Sequence, residues 1–178
     1  GSIMHQVENI GAVELATISF GQSFQITPLQ LLRAVSAVIN GGILVTPHVA
    51  AYAADEQGNV IEQFEYQTTS GVVSTETSET MKELLRKVVA EGTGKNAYIE
   101  GYNIGGKTAT SQKLPRGSGK YIASFVGFAP TDEPQVVGIV MIDEPVGTYY
   151  GGVIAAPVMK EIFDNILPYL HIKRVNVV

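Results

Sequence analysis

The stretch from Ile104 to Gln112 (IGGKTATSQ) joins two glycines to a single lysine and a run of hydroxyl side chains. Read as a β-strand, it alternates its side chains between two faces, so that Thr108 and Thr110 project to the same side. Two hydroxyl groups beside the ammonium group of Lys107 form a compact row of hydrogen-bond donors. The pattern therefore predicts a binding site for an anion, either a carboxylate or a phosphate, and the identity of the anion decides the function.

The same lysine also completes a phosphate-loop pattern. Residues 101–108 (GYNIGGKT) match G-x-x-x-x-G-K-[ST] at every position, and the apolar run 136–142 is followed by two acids, as in the magnesium-binding strand of such proteins. A phosphate loop must open a helix, because the helix N-terminus and its amide groups bind the phosphates. Residues 109–119 instead contain β-formers, Pro115 and two glycines, without an apolar stripe. This composition argues against a P-loop NTPase, which remains an alternative function.

Two patterns define the N-terminal half of the chain. Residues 28–40 are apolar almost all round and follow Thr27, whose hydroxyl suits the N-cap position, so they predict a buried helix. Residues 43–53 predict a strand that is broken by Pro47, and residues 60–66 predict a second strand that forms a hairpin with it. Upstream of the helix, the sequence shows only a short apolar segment at 15–20.

Helix and strand patterns follow one another in the C-terminal half. They predict a helix of about 16 residues capped by Ser74 or Thr75, strands at 103–112, 121–130 and 135–143, a loop at 113–120, and a helix over 155–170. The last strand is a nearly continuous apolar run, which is typical of a strand buried on both faces. Three consecutive strands between helices favour an antiparallel sheet covered by helices, which is an α+β fold.

Composition narrows the classes of function. The chain has 178 residues, of which 45% are hydrophobic and 16% charged, as expected for one globular domain. Its formal net charge is −5 and it has no basic block, which argues against a nucleic-acid partner. Without cysteine it has no disulfide or thiolate metal site, and its three histidines are scattered, so the sequence indicates neither a metal nor a cofactor. The apolar runs fall far short of the roughly 20 residues that span a bilayer.

Four stretches carry a resemblance to a known family. They are 17–31 (TISFGQSFQITPLQL), 107–112 (KTATSQ), 121–130 (YIASFVGFAP) and 151–158 (GGVIAAPV). In this order they resemble the C-terminal part of the transpeptidase domain of class B penicillin-binding proteins, and the resemblance extends over about residues 10–170. The Lys-Thr-Ala-Thr form is similar to that of the sporulation-type members of Gram-positive spore formers.

This resemblance implies a serine-type D,D-transpeptidase that cross-links peptidoglycan stem peptides and is acylated by β-lactams, without a cofactor. Lys107 would then add positive potential beside the nucleophilic serine, and Thr108 and Thr110 would hold the carboxylate of the substrate. The backbone N–H group of Thr110 would be a donor of the oxyanion hole, and the side chain of Gln112 would assist in substrate binding. The resemblance also implies an extracytoplasmic location with an anchoring segment upstream of this sequence, and divisome or spore-cortex proteins as further partners.

Two departures from the family pattern bear on activity. Ala109 stands where the family usually has glycine, and its methyl group is expected to point away from the threonine face. No serine is followed by a lysine three residues later, and no Ser-x-Asn occurs, so the sequence lacks a motif for an activated nucleophile.

These departures lead to an interpretation of the chain as half of an active site. Gly1 and Ser2 are interpreted as a cloning scar, and residues 3–178 as the C-terminal portion of a transpeptidase domain that is inactive alone. Core surface left uncovered in such a portion favours self-association or marginal stability. A non-catalytic interaction module is the other alternative.

Overall fold

The computed structural model describes residues 2–175 of the chain. Gly1 of the predicted scar and residues 176–178 of the predicted domain portion lie outside the described residues. The helices are α1 (Ala12–Ser19), α2 (Pro28–Ile39), α3 (Thr75–Ala90) and α4 (Gly151–Tyr169), with 3₁₀ turns at Val7–Asn9 and Lys95–Ala97. The strands are β1 (Leu44–Val45), β2 (Tyr52–Ala54), β3 (Val60–Gln63), β4 (Thr68–Thr69), β5 (Gly105–Gln112), β6 (Tyr121–Ala129) and β7 (Val136–Asp143).

Local hydrogen bonds define the starts of α2 and α3, as predicted. The Thr27 hydroxyl accepts a hydrogen bond from the Gln30 backbone N–H, and the Gln30 side chain accepts one from the Thr27 N–H, which forms a capping box. The Ser74 hydroxyl accepts a hydrogen bond from the Thr77 N–H at the start of the 16-residue helix α3. Both helices therefore begin where their caps predict.

An antiparallel sheet in the order β5-β6-β7 contains the predicted anion-binding segment. Gly106, Gly127 and Gly138 lie opposite one another across the three strands. Helix α4 packs on this row, with Met159 and Phe163 close to Gly127. The predicted α+β fold, an antiparallel sheet with helices packed on it, is confirmed.

The hydrophobic core lies in the second half of the chain. Its buried members run from Val89 to Ile172 and include Phe125, Met159 and Phe163. Helix α1, by contrast, has no buried residue. This helix was not predicted, because its apolar side chains form no stripe that would mark a packed face. Within residues 2–175, none of the helices is both long and apolar enough to cross a membrane.

The predicted strand over residues 43–53 is interrupted at Pro47, as expected. The segment contains two short strands, of which β1 pairs with β4 and β2 pairs with β3, both antiparallel. Pro47 lies between β1 and β2, and a proline cannot donate the backbone hydrogen bond that a continuous ladder would need. The predicted hairpin is confirmed between β2 and β3, whereas β4 at Thr68–Thr69 was not predicted.

Helix α4 begins at Gly151, four residues before the predicted start at residue 155. A Cβ atom at Gly151 would lie 2.2 Å from the carbonyl oxygen of Ser124, and one at Gly152 would lie 2.4 Å from that of Thr93. Glycine therefore lets the first turn of the helix approach β6 and the loop after α3. This approach involves residues distant in the sequence, so no local pattern marks Gly151 as the start of the helix.

The prediction that the strand at 135–143 is buried on both faces is also wrong. None of the residues of β7 is buried, and the side chain of Met141 is 43% exposed. In the sheet order, β7 is an edge strand that pairs with β6 on one side. Its apolar run reflects partial cover by α2 and α4 rather than a central position in the sheet.

Candidate functional site

Thr108 and Thr110 lie on the same face of β5, as predicted, and both are half-buried. The Thr108 hydroxyl lies 3.1 Å from the Thr93 hydroxyl, within hydrogen-bond distance. The Thr110 hydroxyl accepts a hydrogen bond of 3.2 Å from the Gly151 N–H at the start of α4. Two separate elements therefore orient the two hydroxyl groups.

Lys107 projects away from the two threonines, whereas Gln112 shares their face at the end of the strand. Strand alternation places Lys107 on the opposite face with Ala109, and both residues are exposed. The Lys107 ammonium group donates a 2.8 Å hydrogen bond to the carbonyl oxygen of Thr108. Gln112, the last residue of β5, is exposed. The structure therefore separates the lysine of the predicted row from its two hydroxyls by the thickness of the strand.

A cavity of about 410 Å³ lies on the threonine side of β5. Its walls include Thr108 and Thr110 from the strand, Thr93 from the loop after α3, and Tyr150 and Gly152 at the start of α4. This volume is within the range of small-molecule sites, roughly 300–1,000 Å³. The cavity is large enough for a small anionic ligand held by the two hydroxyls.

Thr93 and Asn96 also line this cavity, although neither was predicted from the sequence. Asn96 donates a 2.8 Å hydrogen bond from its side-chain amide to the carbonyl oxygen of Gly152, which joins the loop after α3 to α4. In the sequence, this region shows only the glycines that end a helix. Nothing local indicates that the loop returns to β5, because the contacts form between residues 15 to 56 positions apart.

The N-terminus of α4 faces the cavity. The helix is 19 residues long, and its first residue, Gly151, donates its N–H group to Thr110 instead of to a side-chain cap. The aligned peptide dipoles give this end of the helix a positive potential. That potential favours a negatively charged group beside Thr108 and Thr110.

Three tyrosines form an aromatic wall beside the cavity. The rings of Tyr121 and Tyr149 stack with their centroids 4.0 Å apart, and Tyr149 lies 4.7 Å from Tyr150. Tyr150 lines the cavity and is 57% exposed. The wall therefore offers apolar contact surface next to the polar floor of the site.

An ion-pair cluster lies at the end of the sheet that adjoins this wall, and we call it the ionic clamp (Lys113, Lys120, Asp143 and Glu144). The Lys113 ammonium group lies 2.9 Å from an oxygen of Asp143 and 2.8 Å from one of Glu144. Lys120 lies 2.9 Å from the other oxygen of Glu144. The hydrogen bonds from Lys113 and then Lys120 lower the pKa of Glu144 to about 2, and those to Glu144 and Asp143 raise the pKa of Lys113.

The lowered pKa predicts how the clamp responds to acid. Ionised Glu144 adds stability above its ordinary pKa of 4.5, and this contribution disappears as the pH falls toward 2. We expect the difference in urea midpoint between the native chain and Glu144→Gln to be constant from about pH 7 to 5 and to shrink toward zero from about pH 4.5 to 2. Urea unfolding followed by circular dichroism measures it. A difference that does not change with pH would contradict the ion pairs.

Comparisons of this sequence with known proteins all identify the same family. Residues 2–164 match the family model of the penicillin binding protein transpeptidase domain. The chain is 43% identical to stage V sporulation protein D of Bacillus subtilis over 176 residues, which cover 96% of this chain and 27% of that protein. It is 36% identical to the probable peptidoglycan D,D-transpeptidase PenA of Neisseria flavescens over 163 residues, which cover 89% of this chain and 38% of that protein. The chain thus spans less than half the length of these relatives.

Solved structures show the same likeness. Penicillin binding protein 3 of Mycobacterium tuberculosis in complex with ampicillin matches 99% of this chain with a TM-score of 0.84 and 26% identity, and the match covers 42% of that chain. The transpeptidase domain of penicillin-binding protein 3 from Burkholderia pseudomallei matches 99% with a TM-score of 0.80 and 31% identity, and covers 52% of that chain.

The structure also decides between the two interpretations of Lys107. Strand β5 continues through Thr108 to Gln112, where a P-loop protein would begin a helix. The P-loop NTPase alternative is therefore wrong. With the family model matching most of its length, this chain belongs to the transpeptidase domain family of penicillin-binding proteins, in class B.

Proposed function

We propose that this chain forms the strand half of the active site of a serine-type peptidoglycan D,D-transpeptidase. One observation carries the proposal: Thr108 and Thr110 present two hydroxyls to a cavity of about 410 Å³ at the positive end of α4. A substrate that ends in a carboxylate fits this arrangement, because two hydroxyl donors and the positive end of a helix dipole stabilise one negative charge. The C-terminal carboxylate of a D-Ala-D-Ala stem peptide is such a group, and so is that of a penicillin.

The names of related proteins support the same chemistry. The PenA proteins of Neisseria are described as probable peptidoglycan D,D-transpeptidases. Penicillin binding protein 3 of Mycobacterium tuberculosis was solved in complex with ampicillin and with aztreonam. Both compounds are β-lactams that carry an anionic group. A carboxylate, rather than a phosphate, is accordingly the anion that we assign to the threonine pair.

The remaining site residues have distinct roles in this proposal. Strand β5 is at an edge of the sheet within the described residues, so part of its backbone is free to bind a ligand, and the Thr110 N–H is assigned as an oxyanion donor. Removal of one such donor in comparable sites costs about 3 kcal/mol of transition-state stabilisation. Lys107 supplies positive potential on the face opposite the two threonines, and Gln112 assists in substrate binding at the end of the strand.

The nucleophilic serine comes from another part of the parent protein in this proposal. The exposed face that carries Lys107 and Ala109 is the place where that part packs, and the methyl group of Ala109 points toward it. The parent acts on the extracytoplasmic side of the membrane, held by an upstream anchor, and works with divisome or spore-cortex proteins. The 178-residue chain alone binds the carboxylate but forms no acyl-enzyme.

Binding of a substrate analogue to the chain alone tests the proposal. We expect N-acetyl-D-Ala-D-Ala to shift the amide NMR signals of Thr108, Thr110 and Gly151 when it is titrated into ¹⁵N-labelled protein. Thr108→Val and Thr110→Val should each weaken binding by at least about 10-fold, because a hydrogen bond to a charged group contributes roughly 1.5–3 kcal/mol.

Ser111→Ala is the matched control for these variants. Ser111 is a hydroxyl residue of the same strand, but it projects to the opposite, exposed face. Its removal should leave the affinity for the dipeptide unchanged. Shifts that avoid β5, or equal losses in the serine and threonine variants, would contradict the assignment of the carboxylate to the threonine pair.

A further inference from the structure

The segment between β7 and α4 has few attachments of its own. Within residues 2–175, residues 145–148 form no hydrogen bond to the rest of the protein, and Val146 is completely exposed. The segment ends in Tyr149 and Tyr150 of the aromatic wall and leads directly into Gly151. Its position therefore sets one wall of the cavity and the direction of the first N–H group of α4.

The ionic clamp fixes the start of this segment. Glu144 has a φ angle of 48°, a conformation that is uncommon outside glycine, and its N–H donates a 2.9 Å hydrogen bond to the carbonyl oxygen of Tyr121. Its carboxylate is held by Lys113 and Lys120, which close the loop between β5 and β6 through a 2.9 Å backbone hydrogen bond of their own. The clamp thus determines where the chain leaves the sheet and turns toward α4.

The end of the segment is attached to the same strand. Tyr149 stacks on the ring of Tyr121, whose backbone already holds Glu144. Two residues later, the Gly151 N–H donates to the Thr110 hydroxyl. Tyr121 is therefore an anchor for both ends of a segment that is otherwise unbonded.

We propose that Lys113 and Glu144 are positioning residues of the anion site. By fixing residue 144 on β6, they restrict residues 145–148 and keep the Gly151 N–H directed at the Thr110 hydroxyl. Their effect on ligand binding rests on the proposed function, whereas their effect on Gly151 does not. The position of the Gly151 N–H matters because a displacement of about 1 Å in a group that orients a substrate is enough to lower the reaction rate roughly 100-fold.

The charges of the clamp form a network rather than a single surface pair. Isolated exposed ion pairs contribute little, because solvent screens them and two side chains must be held in place. Lys113, however, bridges the carboxylates of Asp143 and Glu144, and its side chain is only 29% exposed. Lys120 adds a fourth charge on the outer side of Glu144. Neutralising either Lys113 or Glu144 should therefore release the segment as a whole.

Hydrogen exchange of the Gly151 amide, followed by NMR, tests the proposal. We expect Glu144→Gln and Lys113→Met each to speed this exchange about 10-fold through local opening, and the double variant to do no more than either alone. The amide of Phe125, in the central strand β6, reports global unfolding and should exchange as in the native chain. Glu83→Gln is the matched control, because it removes the same charge from an ion pair with Arg86 on α3.

The outcomes separate positioning from general stability. Equal acceleration at Gly151 and Phe125, or a change of less than about twofold at Gly151, overturns the proposal. If the variants do not fold, raising NaCl from about 0.05 to 1 M on the native chain screens the clamp and should speed exchange at Gly151 but not at Phe125. A Gly151 exchange rate that does not change at about 1 M NaCl also overturns the proposal. N-acetyl-D-Ala-D-Ala should bind the clamp variants more weakly; if it does not bind the native chain, the proposed function fails while the exchange result still decides the clamp.

Discussion

Gly106→Ala is expected to lower the free energy of unfolding by about 3 kcal/mol, the upper end of what overpacking of a core costs. A Cβ atom at this position would lie 2.4 Å from Cζ of Phe125 and 2.6 Å from the carbonyl oxygen of Val126. Phe125 is completely buried, and the Val126 oxygen belongs to the paired strand, so neither atom can move aside cheaply. Urea unfolding followed by circular dichroism measures the loss.

Gly138→Ala is the matched control, since it makes the same substitution in the same row of the sheet. The nearest atoms to a Cβ at Gly138 are Cε of Met159 at 3.3 Å and its sulfur at 3.6 Å, and a methionine side chain can adjust by rotation. We expect this variant to lose less than about 1 kcal/mol. Equal losses at the two positions would contradict the packing argument. A selective loss at Gly106 would show that a glycine of the phosphate-loop pattern serves strand packing.

Benzylpenicillin is expected to form no covalent adduct with the 178-residue chain but to acylate a longer protein that includes an upstream Ser-x-x-Lys segment. None of the serines of this chain has a lysine three residues later, so none has the base that would activate its hydroxyl in this family. Intact mass spectrometry after incubation distinguishes the two outcomes directly. An adduct on the short chain would show that it contains a nucleophile of another kind.

The acylation rate of the longer protein also reports how much the strand half contributes to the reaction. Lys107→Ala should slow its acylation about 100-fold, because a charge fixed beside the reacting groups stabilises the transition state. Lys87→Ala removes the same charge from the exposed face of α3, 54% exposed, and should leave the rate unchanged. Equal rates for the two variants would remove Lys107 from the proposed active site.

Features that depend on neighbouring residues were predictable from the sequence. The shared face of Thr108 and Thr110 follows from the twofold period of a strand, which does not depend on the rest of the fold. The starts of α2 and α3 follow from Thr27 and Ser74, whose hydroxyls bind N–H groups three residues away. The absence of a helix after Thr108 followed from the composition of residues 109–119.

Features that depend on how helices and strands are arranged in space were not predictable from the sequence. The apolar run of β7 is compatible with either a central or an edge strand, and only the sheet order decides. The role of Gly151 depends on how closely α4 approaches Ser124, and that of Thr93 on the return of its loop to β5. The ionic clamp joins residues about 30 positions apart, so no local pattern could pair Lys113 with Glu144.

The location of the core determines when each part of the chain can pack as the chain is synthesised. All members of the core lie between Val89 and Ile172. A ribosome adds roughly 5–20 residues per second, so about 80 residues of core sequence take on the order of 4–16 s to emerge. During that time, Val13, Leu15 and Phe20, which remain exposed even in the folded chain, have no core to join. The N-terminal half of this chain can therefore pack against this core only after the second half has been synthesised.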